Sequence, residues 1–461
     1  MSTTPYAASR RHKPHLANAS LAGLLLLIAV IFGVISASYP ISLMRQELPI
    51  ATRWIMQAVS TDFIMGNCEA VRQITLNYTR GFAGIGVHTL FGGLALTLCA
   101  LQFIPTLRRY SPRLHRTLGW AATVNIVLAM IGAMAYLWMT PATNNPSGEP
   151  FAAALWVQSI TTIMALGLAI KSARQRDFRA HMGWMTLLMA SLMSAPMLRL
   201  ESVVVGRLLP LSGFEANAGL AVILMPQVVW MMAWWMRRIG QHDLPLLRPG
   251  LTMSMPGIQV LAAMGALLVL HEGLLAPWGW DALAHWRTAE TRLPPLAAVW
   301  ALSTAALLWH IPAELHHVQY AHPMRKRVLG LLTLSAIGAW LLLSMPQAGS
   351  PVNSIGRQFY WAAHGASALL MAASGLLWRQ AGQAMVPWRI MVLMNALLPG
   401  LCLPFGAGLA LTGWSLSAIQ TSALTLSWGF VAWHGFASAY GLPIPGARPQ
   451  TVPTGESCAQ V

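Results

Sequence analysis

What most constrains this chain is the regular return of long, uncharged apolar runs. They fall at 19–39, 82–104, 118–139, 151–171, 182–200, 217–236, 256–274, 295–313, 328–345, 359–378, 388–412 and 416–439. Each is close to the roughly 20 residues a helix needs to cross the hydrocarbon of a bilayer. A segment in hydrocarbon must satisfy its own backbone, which a helix does and an open strand does not. The expected fold is therefore all-α: a polytopic bundle of about twelve transmembrane helices. One point of composition agrees. Charged residues make up 9% of the 461, where a soluble domain carries about 25%. So few charges cannot build a water-facing surface, and the lipid bilayer is the first expected partner.

The charges that remain lie mostly between the apolar runs, and they alternate. With the N-terminus inside, 20 of the 29 Lys and Arg residues fall on the inner side and 9 on the outer. That bias predicts a bacterial inner-membrane protein with both termini cytoplasmic. The net charge of +16 thus reads as topology. No nucleic-acid partner is expected, since no DNA- or RNA-binding signature accompanies the charge. No phosphate-binding loop, dinucleotide fingerprint or catalytic Ser/His/Asp order is visible either. Cys99 and Cys402 lie inside apolar runs and Cys458 near the C-terminus, so no disulfide framework is implied.

The organisation reads as a cytoplasmic arm (1–18), a first six-helix half (19–240) with an outer cap at 40–81, a second half (241–440) and a disordered tail (441–461). A weak repeat supports the division. Tyr110–Gly119 and Ala321–Gly330 both carry a Pro and a basic cluster, then Leu-Gly opening an apolar run; their offset is 211 residues. A six-plus-six duplication with parallel halves would produce that spacing.

Ionisable groups inside a bilayer are costly, so each calls for a reason. Mid-membrane carboxylates look absent, with Glu201, Glu272 and Glu314 read as helix-end residues. Histidine is the abundant type. His88 lies in the outer part of the second run. His115 and His181 open the third and fifth runs on the inner face. Helix-borne imidazoles on one face can hold a b-type haem iron. Arg116 and Arg179 beside them are candidate propionate contacts. The plainer alternative is an interfacial His bonded to a headgroup or a carbonyl. His316, His317 and His322 form a His-rich tract with a spacing that fits no standard metal site. His364 is placed at a depth comparable with His88. Pro399 and Pro404 break the eleventh run, which either exposes carbonyls to a substrate or only kinks the helix for packing.

Within 82–200 a set of features resembles a bacterial family of predicted membrane proteins, domain of unknown function 2306. They are His88-x-x-x-Gly92, Leu101-Gln102-Phe103, Arg108 to Arg116 with Pro112 and Leu114-His115-Arg116, Gly119, Ala180-His181, Trp184-Met185 and Arg199. The resemblance marks these histidines as signature positions and implies no activity. More loosely, the His, the Arg-rich turn and the second His are similar to b-type transmembrane cytochromes. Three functions follow. The first is a haem-binding, redox-linked protein using His115 and His181, with His88 as an outer ligand or quinone contact and a redox protein as partner. The second is a transporter with a site between the halves, near His88, Arg199, His364, Pro399 and Pro404. The third is a non-catalytic assembly or sensor factor.

Overall fold

The computed structural model describes residues 16–45, 47–65, 76–141, 149–208, 224, 251–271, 274, 293–319, 326–344, 386–411 and 416–442. Among them there is no strand, and fifteen helices carry the chain. The first group is α1 (Leu16–Ala37), α2 (Tyr39–Met44), α3 (Ile50–Ala58), α4 (Thr61–Met65), α5 (Phe82–Gln102), α6 (Pro105–Tyr110), α7 (Pro112–Met139), α8 (Glu149–Arg174) and α9 (Phe178–Leu208). The second group is α10 (Met255–Leu270), α11 (Leu293–Gln319), α12 (Lys326–Ser344), α13 (Val386–Asn395), α14 (Leu398–Ala410) and α15 (Leu416–Ala439).

Ten of the twelve expected runs fall on these helices; 217–236 and 359–378 lie outside the described residues, apart from Leu224. By length and apolarity five helices among the described residues can cross a membrane, or six if the pair 389–395 and 398–410, bent by 45°, is one span. The chain is a multi-pass helical membrane protein, and the described residues do not reach the expected count of twelve. The expected outer cap at 40–81 contains α3, α4 and most of α2. Its Cys68 lies outside the described residues, as does all of the C-terminal tail beyond Leu442.

In lipid, helices associate through close packing, so small residues gather where backbones cross. α1 crosses α5 at Gly33 and Gly93. α5 also crosses α7 closely. A Cβ at Gly132 would stand 2.6 Å from the backbone nitrogen of His88 and 2.8 Å from the Gly84 carbonyl oxygen. In the second group α10 and α14 press together until a Cβ at Gly400 would clash with the Leu261 carbonyl.

The two groups share one apolar core, running from Ala29 and Cys99 through Trp184 and Met193 to Ile258, Leu308, Leu393 and Phe436. The joint is α15 against α8 and the start of α9. There Trp433 stacks on Trp184 with centroids 5.3 Å apart and planes 26° apart. Trp184 is fully buried.

Candidate functional site

Between α1, α2, α5, α7, α8 and α9 lies a cavity of about 240 Å³. His88 and Arg199 both line it, although they sit on different helices and 111 positions apart. They are near enough to influence each other electrostatically. The tight Gly132 crossing explains where His88 points. It brings α7 close enough for the His88 Nδ1 to meet the Ala129 carbonyl at 3.0 Å. A carbonyl only accepts, so Nδ1 carries the proton and a neutral ring keeps its lone pair on Nε2.

Other polar groups complete the wall. Tyr39, at the start of α2, is hydrogen-bonded to Tyr78. The two rings meet edge to face at 6.1 Å, and Tyr78 also lies 5.9 Å from Tyr136 of α7. Gln158 of α8 donates to the Ser191 carbonyl at 2.8 Å and to the Ser194 hydroxyl. Ser36 Oγ donates to the Thr89 carbonyl at 3.3 Å and so ties α1 to α5 beside the cavity. Pro196 lies inside the continuous helix α9 and has no N–H to give the Leu192 carbonyl one turn before it. Both of these residues also line the cavity. The remaining wall is largely apolar, from residues such as Phe32, Leu96, Met130 and Leu155. Among the described residues no Asp or Glu lines the cavity. Arg199 donates from Nη1 to the Ala195 carbonyl of its own helix at 2.8 Å.

The inner histidines are a separate locus. His115 and His181, in the first turns of α7 and α9, are close enough to interact electrostatically. His181 Nδ1 meets the Ala169 carbonyl at 3.0 Å, which leaves Nε2 free in a neutral ring. With its amide nitrogen toward α7, Gln102 donates to His115 Nδ1 at 2.9 Å and its oxygen accepts from the Gly119 N–H at 3.3 Å. That puts the His115 proton on Nε2. His181 therefore has the form a haem ligand needs, while His115 acquires it only if the Gln102 amide turns over. Arg116 bonds back to the Pro112 carbonyl of its own first turn and is exposed. Arg179 is half-buried, and its Nη2 is buried with no hydrogen-bond partner among the described residues.

His316 is exposed on α11. The side chain of His317 and all of His322 and His364 lie outside the described residues. Among the described residues no three His, Cys, Asp or Glu side chains form a metal-binding group. Pro399 packs against Gly265 of α10, Pro404 is exposed, and neither lines the cavity. The cavity is lined by described residues of the first group; the site expected between the halves includes His364, which lies outside the described residues. Glu314 also departs from its reading as a helix-end residue. It lies within α11 at 1% exposure, and its charge acts on Arg389 of α13, itself 5% exposed. Reading the eighth run as ending at residue 313 hid this pair, because α11 continues to Gln319.

A family model described as Predicted membrane protein (DUF2306) matches residues 85–236, about a third of the chain. The matched stretch includes His88, His115, His181 and Arg199. No curated protein and no solved structure matches the chain.

Proposed function

We propose that this multi-pass membrane protein is a binder or carrier of a small amphipathic molecule, which occupies the cavity between α1, α2, α5, α7, α8 and α9. The observation that carries this reading is the convergence of His88 and Arg199 on one largely apolar cavity. Burying an imidazole and a guanidinium at membrane depth is costly, and such groups usually mark a ligand path. A concave, mostly apolar pocket with a few convergent polar groups is the ordinary form of a small-molecule site.

The positive-inside rule orients it. Arg108, Arg109, Arg113, Arg116, Lys171, Arg174, Arg176 and Arg179 gather at the end of the helices where α5 finishes and α7 starts. That end would be cytoplasmic in a bacterial inner membrane. The cavity then sits in the outer half of the bilayer, with both chain termini on the cytoplasmic side.

The test is mass spectrometry of organic-extractable molecules that co-purify with the full chain from its native membranes. A small amphipathic species is expected with the wild type. It should be depleted at least several-fold in Arg199→Gln and His88→Leu preparations that elute as the same folded species. Equal recovery from all three would overturn the site.

A second reading is favoured by His181 Nδ1 on the Ala169 carbonyl and by the unpartnered Arg179 Nη2. His115 and His181 would hold a b-type haem, with Arg179 on a propionate. The haem would supply one-electron transfer to a quinone or a redox protein. The chain's own part would be to fix the His181 tautomer and to let the Gln102 amide turn. A reduced-minus-oxidised absorption spectrum decides it. A sharp α-band lost in His181→Ala supports haem, and a colourless protein from haem-supplied cells rejects it.

A further inference from the structure

Resting on the cavity reading above, we infer that the occupant is a single-chain amphiphile with one negative charge in its head, a long-chain carboxylate, seated with that head on Arg199. Three observations converge.

The first is charge. Arg199 is half-buried, and its hydrogen bond runs to a carbonyl of its own helix. Among the described residues no carboxylate lines the cavity to balance it. An ionised group out of water needs a counter-charge, and the missing one is an anion.

The second is donor supply. Besides the guanidinium, Tyr39, Tyr78 and Tyr136 bring hydroxyls to the same wall. A guanidinium fork matches a carboxylate in two parallel hydrogen bonds, and a tyrosine hydroxyl can give a third. His88 contributes differently. Its Nδ1 is committed to Ala129, so Nε2 can accept from the acid form of the head.

The third is shape and lining. Phe32, Leu96, Met130, Leu155 and Leu192 supply an apolar wall that an inorganic anion would not use. About 240 Å³ lies just below the ~300–1,000 Å³ of drug-sized sites. It suits one chain better than two.

The full chain in a neutral detergent is titrated with a dansyl-tagged undecanoic acid. The probe is then displaced by dodecanoic acid, by dodecanol of the same chain length, and by butyrate. Dodecanoic acid should compete at about 10- to 100-fold lower concentration than dodecanol, the usual weight of a charge-assisted hydrogen bond. Butyrate should compete far more weakly than dodecanoic acid. The preference for acid over alcohol should vanish in Arg199→Gln and survive in part in Arg199→Lys.

Equal competition by acid and alcohol overturns the anionic head and leaves the cavity reading standing. Equal competition by butyrate overturns the long chain and assigns the site to a free anion. Failure of the probe to bind, beside a different co-purifying molecule, overturns the carboxylate alone. No probe binding with an empty wild-type protein overturns both. The acid-to-alcohol ratio on the wild type decides the matter even if Arg199→Gln does not fold.

Discussion

At the scale of single residues, the absent side chain of Gly132 does as much for the site as His88 itself. His88 reaches the Ala129 carbonyl because α5 and α7 touch backbone to backbone one turn away. A methyl group at residue 132 would meet the His88 nitrogen at 2.6 Å, so the helices must part. Gly132→Ala should therefore destabilise the purified protein by about 1–3 kcal/mol, the usual cost of overpacking. It should weaken cavity ligands together with stability, read by thermal unfolding with and without ligand. A variant as stable and as tightly binding as the wild type would show that the crossing does not position His88. His88 stood out in the sequence because ionisable residues in apolar runs are rare, and Arg199 through the family resemblance and the transport reading. The tyrosines did not. Tyr39 and Tyr78 sit at the ends of apolar segments, where aromatic residues ordinarily form interfacial belts, and nothing in their spacing marks them as partners.

Among the elements, the bent pair α13–α14 gives the sharpest contrast. Two glycines of α14 face different surroundings. Gly400 is pressed onto the Leu261 carbonyl, while nothing lies within 4 Å of a Cβ at Gly408. Gly400→Ala should cost at least about 2 kcal/mol, as overpacking against backbone does. Gly408→Ala should be neutral or stabilising by up to ~1 kcal/mol through helix propensity. Unfolding of the two variants side by side checks this, and equal effects would reject the α10–α14 contact. The sequence showed the break at Pro399 and Pro404 and left its use open. The packing of Pro399 and Gly400 on α10 assigns that part of the break to helix contact, and Pro404 faces outward. The Glu314–Arg389 pair escaped notice for a different reason. Hydropathy ends a span at its first charge, and a helix does not end there.

Across the whole molecule, charge alternation and helix direction make a common prediction. The turns at 103–104 and 175–177 close one end of the bundle, and Pro141 lies at the other. A reporter that fluoresces only in the cytoplasm should light up when fused after Gln175. Alkaline phosphatase, active only outside, should work when fused after Pro141. The reverse pattern would invert the protein. The joint between the two groups can be tested as well. Trp184→Ala removes a fully buried ring stacked on Trp433 and should cost about 3–5 kcal/mol. The loss is expected as a separate, earlier melting step if the second group detaches first. Apolar run length and the basic loops made the helical architecture readable from sequence. Which helices join the two groups was not readable, because in lipid every apolar face looks alike.

The Trp433–Trp184 stack and the contact of Leu442 with Gly183 also bear on how the protein is made. Helices leave the ribosome in chain order, and α15 is the last of the described helices to emerge. Until it does, Gly183 and Trp184 lack the contacts that Leu442 and Trp433 make with them. The newly inserted first group must wait in the membrane through the synthesis of more than two hundred further residues. A chain truncated before α15 would carry every helix that lines the cavity and still present an unfinished face to the quality-control proteases of the membrane.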